Sequence, residues 1–154
     1  MKEILNSKIR SAWIIDDAEL SQVINKFIIK KSGLVDRCVL HENGATALQR
    51  LKQKQSQGLD FPDVIVLVLN MPVMNGFEFL QHINEWEELS YLLKRTIVLS
   101  SSICTGDVMK VKSLGARWNL SKPLTVQAAV AIFSTVIEER DRRKKKKQED
   151  NCKF

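Results

Sequence analysis

Residues 64–69 read Val-Ile-Val-Leu-Val-Leu, apolar at every position, so a strand built from them must be covered on both faces. A strand of that kind belongs in the middle of a parallel sheet, and the rest of the chain supplies the matching units. Residues 11–15 form a short apolar run that stops at Asp16 and Asp17. Leu20, Val23, Ile24, Phe27 and Ile28 then recur at helical spacing until Ser32 and Gly33 close the helix. Residues 37–40 give a second strand. Asn43 and Gly44 open a helix through Ala47, Leu48 and Leu51, and the polar stretch 52–62, ending in proline, reads as helix end and loop. Phe77, Phe79, Leu80 and Ile83 mark a third helix, residues 96–99 a fourth strand, and Val108, Val111 and Leu114 a fourth helix. Residues 116–120 make a fifth strand; Ala128, Val130, Ile132, Phe133, Val136 and Ile137 build the last helix. Five strand–helix units predict an α/β fold, a doubly wound five-stranded parallel sheet with helices on both faces.

The chain of 154 residues, 44% apolar and 27% charged, suits one domain with a core that needs neither disulfides nor metal. Cys38, Cys104 and Cys152 are odd in number, far apart and without a C-x-x-C pair, which points to a reducing compartment rather than a disulfide or zinc framework. His41 and His82 are isolated and read as packing or surface residues. Residues 1–8 lack the apolar centre of a signal peptide, and no apolar run approaches the roughly 20 residues of a membrane span. A cytoplasmic protein is the expectation.

In an open parallel sheet, ligands bind beyond the carboxyl ends of the strands. Asp16 and Asp17 follow the first strand, Val68, Leu69 and Asn70 close the third, Ser100 follows the fourth and Lys122 the fifth. Adjacent carboxylates are costly unless a cation offsets them. A hard ion such as Mg2+ takes oxygen ligands, which Asp16 and Asp17 supply from side chains and Asn70 from its backbone carbonyl. Lys122 can meet a phosphoryl oxygen as a point charge, and the Ser100 hydroxyl can donate to another. Such parts position a phosphoryl group, and phosphoryl transfer depends chiefly on positioning and charge neutralisation.

These residues, with the loop Met71-Pro72-Val73-Met74-Asn75-Gly76 and the pair Lys122-Pro123, resemble the receiver domain of two-component response regulators over about residues 10–137. The resemblance implies the flavodoxin-like (βα)5 fold. It implies that Asp16, Asp17 and the Asn70 carbonyl bind Mg2+, that Ser100 moves toward the phosphoryl group, and that Lys122 contacts it from before a cis proline. It also implies that Trp118 in strand five swings with Ser100, although a partly buried tryptophan there serves equally well as packing. The family's phosphoacceptor aspartate falls at Val68. Valine offers no nucleophile and no metal ligand, so the expectation is no acyl phosphate at that position and weakened Mg2+ binding. Locally, Val68 simply continues an apolar strand.

The domain is read as residues 1–137, with a basic helical extension over 138–154. Half of the net charge of +6 lies in residues 137–154, where eight lysines and arginines oppose five acids. Arg142, Arg143 and Lys144 to Lys147 suit either an acidic or nucleic-acid partner or the solvated end of a helix. No aromatic residue interleaves with them, so a single-strand stacking platform is not indicated. An enzyme on the same sheet is disfavoured. Asp16-Asp17-Ala18-Glu19-Leu20 has no glycine for a dinucleotide turn, and its acids lack D-x-D spacing. The reading is a stand-alone receiver in phosphorelay signalling that acts by protein contact. The resemblance implies a sensor histidine kinase or phosphotransfer protein as one partner, an output protein as another, and homodimerisation through the face of helix four, strand five and helix five. The alternatives are a phosphorylation-independent adaptor and a nucleic-acid binder using the tail.

Overall fold

The structure, a computed structural model, describes residues 7–71, 73–101 and 105–152, and of residues 105, 151 and 152 only the backbone. Its elements run β1 (Ile9–Ile15), α1 (Glu19–Lys31), β2 (Val35–His41), α2 (Gly44–Gln57), β3 (Val64–Val68), α3 (Gly76–Glu85), a 3-10 helix (Glu87–Arg95), β4 (Thr96–Ser100), α4 (Thr105–Ser113), β5 (Trp118–Ser121) and α5 (Val126–Cys152). The strands are all parallel, as the alternation predicts, and their order β2-β1-β3-β4-β5 is the flavodoxin-like arrangement that the resemblance implies. The order reverses direction between β1 and β3. Right-handed crossovers then set α1 on one face and α2, α3 and α4 on the other, and α5 packs beside α1.

β3 and β4 are buried at every residue, as continuous apolar runs in a doubly covered sheet must be. Trp13, Ile14, Ile15, Val66, Leu67, Phe79, Leu80 and Phe133 are among the side chains that fill the two interfaces. Local chemistry sets the helix starts. Asn43 caps α2 by accepting from the Thr46 amide at 2.9 Å, and Asn75 caps α3 by accepting from Glu78 at 2.9 Å. Asn75 and Glu78 complete a reciprocal capping box.

The structure extends several elements beyond the sequence pattern. α2 runs to Gln57 and ends at Gly58 with φ 66°, because the polar residues after Leu51 form its solvent face. Residues 87–95, which carry no clear period, form the 3-10 helix that buries Leu89, Leu92 and Leu93. α1 forms where its apolar spacing predicts, but of that stripe only Ile28 packs against the core. Leu20, Val23 and Phe27 are 73%, 59% and 63% exposed, while Asn25 and Ile29 are buried. α5 passes residue 138 as one uninterrupted helix. Arg117 pairs with Glu139 at 2.7 Å, and Arg140 bonds Asp63 at 3.3 Å and the Lys8 carbonyl at 2.8 Å, so its second half starts against the sheet.

Candidate functional site

The strand register brings the expected residues to one edge. Ile15 is level with Leu67, Val68 with Leu99, and Ser100 with Ser121. Asp16 therefore lies beside Val68, at the switch point between β1 and β3, with Ser100 and Lys122 one and two strands further on.

Asp16 is fully buried. One carboxylate oxygen accepts from the Ala18 amide at 3.0 Å and the other from the Ser21 hydroxyl, and the backbone N–H donates to the His41 carbonyl at 3.0 Å. The Gln22 side chain donates to the Asp16 carbonyl. The first of these bonds is an Asx turn, the local alternative to a strand ladder that aspartate offers two residues ahead. Asp16 thus fastens the β1–α1 connection, and Asp17, exposed, is the carboxylate of the pair left open to solvent. Ser21 and Gln22 have no motif of their own in the sequence. They meet Asp16 only because the helix that carries them starts at Glu19, directly after the β1 end.

Val68 is 3% exposed and ends β3 inside the apolar core. The loop beyond it closes tightly: a Cβ on Gly76 would stand 2.7 Å from the Val68 carbonyl oxygen and 2.8 Å from the Leu69 Cα. Only glycine allows the start of α3 to approach β3 so closely, and its amide donates to the Leu69 carbonyl at 2.8 Å. Val73 in the same loop is 83% exposed and holds φ at 73°, a left-handed conformation that a β-branched residue adopts only under strain. Asn70 is exposed beside this loop; Pro72 lies outside the described residues.

Ser100 is buried at the end of β4, and its carbonyl accepts from the Lys122 amide at 2.9 Å, which ties the ends of β4 and β5 together. The Lys122–Pro123 bond is cis. Ser101 is exposed, and Ser102 falls outside the described residues. Trp118 is half-buried on edge strand β5, level with Ile97, and the Arg117 guanidinium stands 4.6 Å from its ring centroid. On the neighbouring helices Met109 is 67% and Val130 38% exposed.

The donors at this edge fit a resident Mg2+ poorly. Both Asp16 oxygens already accept hydrogen bonds, Val68 contributes no oxygen, and among the described residues no group of three or more acidic, histidine or cysteine side chains converges. An octahedral ion would find one open carboxylate, on Asp17, with carbonyls and water for the remainder.

The family profile described as Response regulator receiver domain matches residues 12–134. The chain belongs to the response regulator receiver domain family. The receiver is 24% identical over 128 residues to the polar-differentiation response regulator DivK of Brucella anthropi, an alignment covering 83% of this chain and 96% of DivK. It is 34% identical over 122 residues to a protein-glutamate methylesterase/protein-glutamine glutaminase of Treponema denticola, covering 75% of this chain but only 29% of that enzyme. Among solved structures, a two-component response regulator from Cytophaga hutchinsonii superimposes with a TM-score of 0.73 at 28% identity, over 85% of this receiver and 98% of the other. Two-component signalling is the setting of this family, and no helix among the described residues is long and apolar enough to cross a membrane.

Two further groups owe their surroundings to the tertiary structure, and the first, His41, has the packing role that its isolation in the sequence suggests. His41 packs on Trp13 with ring centroids 4.2 Å apart, and its pKa is lowered to about 4 by burial, with Arg50 and Lys54 adding to the effect. At the opposite end of the sheet, Asp63 joins Arg95 at 3.8 Å and Arg140 at 3.3 Å, all three side chains at most 15% exposed. Arg140 is anonymous in the sequence, one of many basic residues near the terminus. Only the course of α5 across the sheet gives it a partner.

Proposed function

We propose that this receiver signals by protein contact and carries no acyl phosphate, because Val68 stands at the phosphoacceptor position. A carboxylate oxygen is the nucleophile of that chemistry, and a valine methyl has no electron pair to offer a phosphorus atom. Asp16, Asp17 and the Asn70 carbonyl are the remnant of the metal site, with Mg2+ held weakly. Ser100 and Lys122 are the phosphoryl-contacting groups left without a phosphoryl group, and Ser100 with Trp118 is the switch pair. The equilibrium between the two states of the α4–β5–α5 face is then set by the sequence or by a bound partner, or by a second copy docking there.

The observation that carries the interaction role is the exposed apolar stripe of α1. Leu20, Val23, Ile24 and Phe27 lie on one side of a helix that starts directly after the acid pair. A contiguous apolar face rimmed by polar residues marks an interaction surface. Its position beside Asp16 and Asp17 suits a histidine kinase or phosphotransfer protein, whose histidine must approach that edge.

The test pairs two measurements. Intact mass after incubation with Mg2+ and a small acyl phosphate should show no added phosphoryl group on this chain and one on Val68→Asp. Titration against histidine-containing phosphotransfer domains and kinase dimerisation domains from the source organism should find a partner, and Leu20→Ser/Phe27→Ser should weaken it at least tenfold. Phosphorylation of the parent chain at the β3–α3 loop, or a partner indifferent to the α1 variant, overturns the proposal.

A further inference from the structure

The amino ends of the strands, opposite the edge described above, surround a cavity of about 890 Å3. Its wall comes from β1, β2, the end of α2, the loop into β3, the 3-10 helix and α5. Seven lysines and arginines line it against two aspartates. Asp63 is already held by Arg95 and Arg140, and Asp60, 95% exposed, lies 4.0 Å from Arg10. Arg37, Arg50, Lys54 and Lys144 have no carboxylate within ion-pair distance among the described residues. Four cations from three different elements therefore face one concavity without an ion-pair partner among the described residues. Their mutual field is felt locally: the Lys54 pKa is lowered by burial and by Arg50 and Arg37, against a smaller opposing pull from Asp60. Holding such charges together is unfavourable in the empty cavity and becomes favourable when an anion enters.

The remaining wall is not ionic. Leu59 is 44% exposed, and Phe61 and Tyr91 are half-buried around it. A cavity of roughly 300–1,000 Å3 with an apolar wall and a few convergent polar groups is the usual form of a small-molecule site.

We propose that this cavity binds a nucleoside polyphosphate, its phosphates on Arg37, Arg50, Lys54 and Lys144 and its planar base against the Leu59, Phe61 and Tyr91 wall. Three or four negative charges match the four unpaired cations, which a monoanion would not. The size and the apolar wall call for an organic group attached to the phosphates, which inorganic polyphosphate lacks. Lys144 lies one helical turn beyond Arg140 on α5, so the second half of that helix is a wall of the site as well as an extension from the domain.

The test is calorimetric titration of the full chain, without divalent metal and at about 150 mM salt to screen exposed charges. The probes are a nucleoside triphosphate, inorganic tripolyphosphate and a short single-stranded oligonucleotide. Arg50→Gln/Lys54→Gln removes two cavity cations, and Lys146→Gln/Lys147→Gln removes two that do not line it. Saturable 1:1 binding of the nucleotide, tighter than tripolyphosphate, is expected; it should weaken at least tenfold in Arg50→Gln/Lys54→Gln and less than twofold in Lys146→Gln/Lys147→Gln. Absence of nucleotide binding, tripolyphosphate binding as tight as the nucleotide, or equal loss in the two variants overturns the proposal. Tighter binding of the oligonucleotide, lost on changing Lys146 and Lys147, overturns it in favour of a nucleic-acid surface on the helix.

Discussion

Placing an aspartate at position 68 tests whether valine there stabilises the sheet at the expense of phosphoryl chemistry. Val68 is 3% exposed, so Val68→Asp forfeits about 2 kcal/mol of apolar burial. The new carboxylate enters level with the fully buried Asp16, whose two oxygens already accept hydrogen bonds and have none to offer it. Desolvation and the neighbouring negative charge raise its pKa; each unit of rise costs about 1.4 kcal/mol at neutral pH. A total near 3 kcal/mol follows, and at about 2–4 °C per kcal/mol for a domain of this size the melting temperature should fall by about 6–12 °C in metal-free buffer. Mg2+ should reverse much of the loss in the variant, since a ligand at 100 times its Kd adds about 2.7 kcal/mol. In the parent chain Mg2+ should move the melting temperature by less than about 1 °C, because one open carboxylate holds it poorly. Thermal and denaturant unfolding of both proteins, with chelator and with about 10 mM Mg2+, measures all four states. A Val68→Asp variant as stable as the parent in chelator refutes the reasoning, as does a parent stabilised by Mg2+ as strongly as the variant.

The other expectations concern single side chains. His41 has its pKa lowered to about 4, so the unfolded chain binds the proton more readily, and stability drops as pH falls from about 6.5 toward 4. Screening of this partly exposed ring limits the loss to about 1–2 kcal/mol, and His41→Phe should flatten that part of the stability–pH curve relative to the parent. Gly76→Ala drives a Cβ to 2.7 Å from the Val68 carbonyl oxygen and should cost about 2–3 kcal/mol in urea unfolding. Val73→Asn relieves a left-handed β-branched residue that is 83% exposed; a gain of about 1 kcal/mol is expected, read as a higher urea midpoint at unchanged slope. Asp63→Ala leaves Arg95 and Arg140 without their shared carboxylate and should cost about 2–3 kcal/mol, less than a fully buried pair because Arg140 keeps Asp141 and the Lys8 carbonyl. Simple additivity of Asp63→Ala with Arg140→Met would contradict that coupling.

Fold class was legible because parallel strands with both faces covered leave an unmistakable trace. Residues 64–69 admit no solvent face, and the helical spacings between such runs force the alternating arrangement. The residues of the carboxyl edge were legible for the same reason: they stand at strand ends, and strand ends are visible where apolar runs stop. Their partners were not. Ser21 and Gln22 bond to Asp16 only once α1 starts at Glu19, and nothing in their spacing separates them from any polar helix residue.

Periodicity also reports that a helix has an apolar stripe without reporting which way the stripe points. Leu20, Val23, Ile24 and Phe27 have the spacing of a core face, yet α1 lies against the sheet through Ile29 and the buried Asn25, and the stripe looks outward. That orientation depends on where β1 and β2 deliver the chain and on α5 packing alongside. The basic cavity is a product of the tertiary structure entirely. Arg37, Arg50, Lys54 and Lys144 span more than a hundred residues of sequence, each an ordinary surface charge by itself. The sequence by itself determined the alternation of elements and the chemistry at each strand end, because both depend on local order along the chain. Which charges share a cavity, and which apolar face meets solvent, was decided only by the tertiary structure, because electrostatics and burial act through space.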